Sequence, residues 1–84
     1  MTLAETTRQP CLVPGCRRTR LHAGGEWICG DHWRLTDRHV RRTLFRAVKR
    51  FRHGGEKAET FASVARQCWR RLKTQAIERA GGLA

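Results

Sequence analysis

Apolar residues recur every three or four positions through the second half of the chain, which is the spacing of an α-helix with one buried face. The first such run extends from about Thr36 to His53. Its apolar stripe contains Val40, Leu44, Ala47, Val48 and Phe51. Gly54 follows directly, and glycine is the usual residue just beyond a helix C-terminus. The pattern therefore predicts one amphipathic helix that ends at His53.

A second run of the same period extends from about Ala58 to Ala80. Its stripe contains Phe61, Val64, Ala65, Cys68, Leu72, Ala76 and Ile77. Gly81 and Gly82 mark its end. Only the short linker "GGEK" separates the two runs, so we expect the helices to form an antiparallel helical hairpin. Cys68 is interpreted as a core residue because free cysteine is among the most buried residue types.

The first third of the chain follows a different pattern. Residues 1–10 have no periodic apolar positions and are predicted to be a flexible N-terminal tail. The segment "VPG" at 13–15 is typical of a turn. "RRTRL" (17–21) and "EWIC" (26–29) are predicted strands of a β-hairpin across "HAGG". The predicted fold class is small α+β, a cysteine-bearing knuckle and β-hairpin followed by two α-helices, in a single domain from residue 11 to residue 84.

Three of the four cysteines and one histidine form two closely spaced pairs, Cys11-x4-Cys16 and Cys29-x2-His32. Each pair can chelate, and the x12 spacer is long enough for the chain to turn back and bring the pairs together. Three thiolates and one imidazole fill the four positions of tetrahedral Zn(II), with none left for water. The spacing predicts one structural zinc ion.

The sequence allows two other arrangements of these residues. His22 lies near the predicted hairpin tip and competes with His32 as the fourth ligand, although a short chelating pair is easier to hold than a loop residue. A disulfide between Cys11 and Cys16 is disfavoured in a reducing compartment. The N-terminus has no apolar segment preceded by positive charge, and no run reaches the length of a membrane span. We therefore expect a cytoplasmic protein that is not secreted.

The order of these elements resembles a treble-clef zinc finger, in which a cysteine turn, a β-hairpin and a helix start supply the ligands. "CLVPGC" is similar to the knuckle and "CGDH" to the helix-start pair. The four-residue spacing of the first pair departs from the commoner two-residue spacing. The run from "CLVPGC" to "WICGDHW" also resembles small zinc proteins encoded by bacteriophages and prophages. The treble-clef resemblance implies the zinc-finger fold for residues 11 to about 53, and the phage resemblance implies no activity.

The chain carries a formal net charge of +11, and fifteen of its eighteen cationic residues are arginine. No acidic residue occurs between Arg38 and His53, although solvated helix faces normally carry both signs. Arginine suits bidentate contact with phosphate and carboxylate groups. On a wheel of about 100° per residue, Phe45 falls among these cations, where its ring can stack on a base or anchor a protein contact. The predicted nucleic-acid-binding residues are Arg17, Arg18, Arg20, Arg34, Arg38, Arg41, Arg42, Phe45, Arg46, Lys49, Arg50 and Arg52.

These features favour a small zinc-stabilised nucleic-acid-binding protein of the phage accessory type, with DNA preferred to RNA as its partner. The alternative is an interaction factor that docks an acidic surface of a host protein, such as RNA polymerase or a defence nuclease. An exposed hydrophobic centre ringed by arginine favours the protein partner, and a long cationic track favours nucleic acid. The thin helical hairpin can also pair with a copy of itself. No enzyme activity is expected, because the seven acidic residues are scattered and no nucleophile lies beside a base.

Overall fold

The computed structural model describes residues 7–22 and 24–81 of the 84-residue chain. Two short strands come first, β1 (Thr7–Pro10) and β2 (Thr19–His22), and three helices follow: α1 (Gly30–Trp33), α2 (Arg38–His53) and α3 (Ala58–Ala80). The small α+β class predicted from the sequence is confirmed. Among the described residues, no helix has both the length and the apolar content to cross a bilayer.

Strands β1 and β2 form an antiparallel two-stranded sheet that is paired along all four positions of each strand. The loop between them, residues 11–18, carries the first two cysteines. At its base the Cys11 N–H donates a hydrogen bond of 2.9 Å to the Arg18 carbonyl oxygen. The sheet therefore fixes where the cysteine loop starts and where it ends.

This sheet does not consist of the strands predicted from the sequence. The sequence predicts a flexible tail over residues 7–10 and a strand over 26–29, whereas residues 7–10 pair with β2 and residues 26–29 form no strand. Most of β1 is exposed, so it carries no apolar periodicity that a sequence pattern could detect. The segment 26–29 crosses the cysteine loop instead, where the Trp27 carbonyl accepts a hydrogen bond from the Leu12 N–H. Residues 1–6 of the predicted tail lie outside the described residues.

The two long helices begin and end close to where the sequence predicts. Helix α2 starts at Arg38 because the side chain of Asp37 caps it, accepting a 2.7 Å hydrogen bond from the His39 N–H. It ends before Gly54, whose φ of 76° suits glycine and whose N–H donates to the Phe51 carbonyl oxygen. Helix α3 has the predicted bounds.

Helices α2 and α3 form the predicted antiparallel hairpin. Near the start of α2, the Asp37 N–H donates to the side chain of Gln75, which lies towards the end of α3. At the opposite end, the Arg50 guanidinium lies 5.8 Å from the centre of the Phe61 ring. Ala47 of α2 is fully enclosed where the helices meet.

The core of the hairpin is thin. The Cα positions span 41 × 41 × 14 Å, so the molecule is a flat plate. Two stripe residues predicted to be internal are exposed, Phe51 by 45% and Ile77 by 36%. Cys68, predicted as core, is only half-buried. Each stripe is incompletely covered because, among the described elements, each of the two long helices packs mainly against the other.

The end of α3 joins the helical hairpin to the cysteine loop. Ala76 is fully buried in one cluster with Cys11, Val13 and Cys29, and Ala80 packs against the same cluster. Trp33 makes a second connection, since its ring centre lies 6.2 Å from that of Phe45 and 6.5 Å from that of Trp69. These contacts hold the cysteine loop at one end of the plate.

Candidate metal centre

The four residues predicted as metal ligands lie together. The donor atoms of Cys11, Cys16, Cys29 and His32 are all within 4.8 Å of one another. Cys11 and Cys29 are buried, and Cys16 and His32 are half-buried. The set is large enough to hold one metal ion, and all three of its cysteines are free thiols.

The first pair is positioned by the loop between the strands. The Cys16 N–H donates a 3.1 Å hydrogen bond to the Val13 carbonyl oxygen, which closes the turn. Gly15 within this turn has a φ of 85°, a conformation that side chains other than glycine rarely adopt. The turn brings the Cys16 sulfur round towards Cys11 across the four-residue gap.

The second pair is positioned by the short helix α1. Cys29 is its N-cap residue and His32 lies within its single turn. Residues three apart on a helix project from the same side. The Cys29 sulfur is accordingly 3.1 Å from His32 Nδ1. His22, the competing ligand, lies at the end of β2 and is not part of the four-residue group.

The two pairs meet through contacts between their donor atoms. The sulfurs of Cys16 and Cys29 are 3.9 Å apart, and the Cys11 sulfur is 3.7 Å from His32 Nδ1. The Cys29 N–H donates to the Cys11 sulfur at 3.3 Å. A backbone donor aimed at sulfur stabilises the thiolate form that a metal requires.

The thiols differ in how readily they ionise. Burial disfavours the Cys11 thiolate, but hydrogen bonds from the backbone N–H groups of Cys29 and Val13 outweigh burial and lower the pKa of Cys11 from 9.0 to about 7. The Arg18 backbone N–H favours the Cys16 thiolate, yet partial desolvation and the neighbouring sulfurs raise the pKa of Cys16 above 9.0. Crowded thiolates repel one another, and a bound cation would remove that repulsion.

The cations predicted to bind nucleic acid occupy two regions. Those of α2 are exposed with one exception, Arg41, which is half-buried and donates hydrogen bonds to the Trp33 and Thr36 carbonyl oxygens at 2.7 and 3.0 Å. The exposed members on α2 are Arg38, Arg42, Arg46, Lys49, Arg50 and Arg52. Phe45, also predicted, is 59% exposed on the same helix.

The remaining predicted cations lie on or beside the cysteine loop. Arg18 and Arg34 form ion pairs with Asp31 at 2.7 and 3.5 Å. The Arg20 guanidinium lies 5.6 Å from the centre of the Trp27 ring. Arg17 is exposed. Three of these four arginines therefore have intramolecular partners.

Sequence reasoning missed two surface features of the helical hairpin. One is a series of four exposed arginines on α2 at positions 38, 42, 46 and 50. Their interval of four residues is visible in the sequence and could have revealed them. The other is a groove shared by α2 and α3, which no local pattern indicates because it depends on how the helices pack. Comparison of the chain with protein-family models, with curated proteins and with solved structures finds no match.

Proposed function

We propose that the four-residue group holds one Zn(II) ion. With Zn–S bonds of about 2.3 Å and Zn–N bonds of about 2.05 Å, a tetrahedral site has S···S edges of about 3.8 Å and S···N edges of about 3.6 Å. The Cys16–Cys29 distance of 3.9 Å and the Cys11–His32 distance of 3.7 Å fit those edges. The Cys29–His32 distance of 3.1 Å would lengthen by about 0.5 Å, a small side-chain rotation.

The proposed zinc is structural. Three thiolates and one imidazole complete its coordination, so no position remains for a reacting water or substrate. When bound, the ion would supply folding free energy, because such a site does not exist in the unfolded chain. We accordingly propose a binding protein and not an enzyme.

We propose that this zinc-stabilised protein binds nucleic acid through α2. The observation that carries the proposal is a row of four exposed arginines at intervals of four residues, named here the arginine ladder: Arg38, Arg42, Arg46 and Arg50. At about 1.5 Å per residue the ladder is about 18 Å long. That length corresponds to about five base pairs of duplex DNA at about 3.4 Å each.

Repulsion among the ladder arginines lowers the stability of the isolated protein. Like charges four residues apart on a helix destabilise it by about 0.2–0.5 kcal/mol per pair, and the ladder contains three such pairs. No acidic side chain on α2 offsets them. A polyanion would turn this repulsion into attraction, and each phosphate contact would release a counterion.

The accessible surface and the width of α2 favour duplex DNA over duplex RNA as its partner. Among the described elements α2 packs mainly against α3, and Trp33 of α1 contacts its Arg41 and Phe45, so the remaining surface of α2 can approach a partner. A helix is about 10–12 Å wide with its side chains, and the DNA major groove is about 12 Å wide. The major groove of duplex RNA is too deep and narrow for such contacts.

The ladder is tested by removing two of its charges. The variant R42Q/R46Q and the control K57Q/R71Q both lower the net charge from +11 to +9, but the control changes exposed cations outside the ladder. The measurement is fluorescence anisotropy of a labelled duplex with zinc-loaded protein across a salt series. If the four ladder arginines contact phosphate, the slope of log K against log salt is about −3.6, and R42Q/R46Q makes it about 1.8 less steep.

The control should keep a slope close to that of the unmodified protein. Equal losses in the two double variants would mean that net charge alone attracts the duplex, and the ladder would not be the site. Absence of salt-dependent binding to duplex DNA by the unmodified protein would overturn the nucleic-acid proposal. Tighter binding to single-stranded RNA than to the duplex would contradict the preference for DNA.

A further inference from the structure

An apolar groove crosses one face of the helical hairpin. Its floor is formed by Leu44, Phe45 and Val48 of α2 and by Ala65 and Trp69 of α3, and we call this set the apolar groove. It consists of two open depressions of about 680 and 450 Å³ that share Leu44. Phe45 exposes 59% of its surface here. A depression lined by exposed apolar side chains can receive apolar side chains of a partner.

Cationic residues border the apolar groove on both of its long sides. Lys49 and Arg52 line the depression on α2, and Arg66 and Arg70 line the one on α3. All four are exposed, and none of the described acidic residues lines either depression. At about 100° per residue, Lys49 and Arg70 each lie on the side of their helix turned away from the seam. The groove thus has an apolar floor between two positive margins.

The two positive margins distinguish among three kinds of partner that could bind in an apolar groove. A second copy of the chain would bring positive margins against positive margins, which is unfavourable. A single nucleic-acid strand carries its phosphates along one edge of its bases and would leave one margin unmatched. A helix with an apolar stripe flanked by acidic residues on both sides matches the floor and both margins.

We propose that the apolar groove docks an acidic amphipathic helix of a partner protein. Phe45, Leu44 and Trp69 would receive the apolar side chains of that helix, because aromatic residues in a cationic setting are typical centres of protein interfaces. Lys49 and Arg52 on one side and Arg66 and Arg70 on the other would pair with its carboxylates. None of these residues belongs to the arginine ladder, although Lys49 lies on the same side of α2 as the ladder, and the proposal does not depend on nucleic-acid binding.

The experiment uses the full zinc-loaded chain and a labelled synthetic peptide of about 18 residues, long enough for about five helical turns. The peptide carries leucine at helical spacing, with glutamate on both sides of the leucine stripe. One control peptide has the same composition in scrambled order, and another replaces glutamate by lysine. We expect the striped glutamate peptide to bind more tightly than both controls in fluorescence anisotropy.

Two variants test the floor and the margin of the groove separately. F45A should weaken binding of the striped glutamate peptide about tenfold, whereas F51A, which alters an exposed ring outside the groove, should leave it unchanged. R66E/R70E should weaken the glutamate peptide and strengthen the lysine peptide, since both positions are exposed and their reversal leaves the packing intact. Circular dichroism and zinc content establish that each variant is folded.

Several results would overturn the proposal. One is equal binding of striped and scrambled peptides, and another is an R66E/R70E protein with unchanged preference between glutamate and lysine. A dimer in sedimentation that F45A converts to a monomer would show that a second copy fills the groove. Loss of single-stranded DNA binding in F45A with peptide binding unchanged would identify a base-stacking surface instead.

Discussion

Arg41 differs from the other cationic residues of α2, because it is half-buried and makes hydrogen bonds within the protein. Its guanidinium donates to the Trp33 carbonyl oxygen at 2.7 Å and to the carbonyl and hydroxyl oxygens of Thr36 at 3.0 and 3.1 Å. It also lies 5.9 Å from the centre of the Trp33 ring. Arg41 therefore holds the segment between α1 and α2 against the start of α2.

Replacing Arg41 should reduce stability more than replacing its neighbour. We expect R41Q to lower the free energy of unfolding by about 1–2 kcal/mol, because it leaves the Trp33 and Thr36 carbonyl oxygens without their charged donor. R42Q removes an exposed cation and should change stability by less than about 0.5 kcal/mol. Urea unfolding of the two zinc-loaded variants provides the measurement. Equal stability of R41Q and R42Q would show that the Arg41 hydrogen bonds contribute nothing.

The sequence does not show which carbonyl oxygens Arg41 bonds. A helical wheel of about 100° per residue places Arg41 about 20° beyond Val48, at the edge of the apolar stripe, and Arg42 on the opposite, cationic side of α2. Arg41 is distinguished by the carbonyl oxygens of the α1–α2 connection, whose path is set by tertiary structure. The four residues of the candidate metal centre were predictable for the opposite reason, because each of their two pairs is local in the chain.

At the scale of elements, α3 is attached to the cysteine-loop end of the molecule by polar contacts as well as by burial. Glu26, which precedes the second ligand pair, accepts hydrogen bonds from Lys73 Nζ at 2.8 Å and Trp69 Nε1 at 3.0 Å. These contacts, with Lys73 first, lower the pKa of the Glu26 carboxyl below its usual 4.5. The ionised carboxylate therefore stabilises the folded state.

The Glu26 contact predicts a pH dependence of stability with a definite sign. Because the pKa is lower in the folded state, the contribution of the carboxylate is present above about pH 4.5 and is lost as the pH falls through the lowered value. E26Q keeps an oxygen acceptor for Trp69 but has no charge. We expect the unmodified protein to be the more stable of the two near neutral pH and the difference to shrink in acid.

Urea unfolding of both proteins at low salt, from pH 7 to pH 3.5 and in equal excess zinc, provides the comparison. Protonation of the metal ligands affects the two proteins alike, so the difference between them isolates Glu26. A difference in stability that stays constant across this range, or one that grows in acid, would contradict the assignment.

The elements themselves were predictable to different degrees. The helices follow from a sustained apolar period and from Gly54, and α3 has the bounds that the period gives. The sheet was predicted between the wrong segments because β1 is mostly exposed and is fixed by backbone pairing to β2. Its position also depends on Trp27, whose Nε1 donates to the Gln9 carbonyl oxygen at 2.7 Å across the loop.

At the scale of the whole molecule, a flat helical hairpin is joined to a small cysteine-bearing end. Among the described residues only six hydrophobic residues are buried, and Ala76 of α3 lies in the same cluster as Cys11 and Cys29. Structural zinc binds with an apparent free energy of about 10–16 kcal/mol, comparable to the whole stability of a typical domain. We therefore expect the fold to depend on metal binding at this cluster.

The most direct test is the zinc content and thermal unfolding of the unmodified chain, C29A and C68A. Cys29 is a buried member of the donor group, and Cys68 is a cysteine on α3 outside it. Measured by native mass spectrometry and circular dichroism, the unmodified chain and C68A should each hold one zinc and unfold cooperatively. C29A should hold no zinc and show no cooperative transition. A metal-free C29A that unfolds cooperatively at the temperature of the unmodified chain would contradict the account.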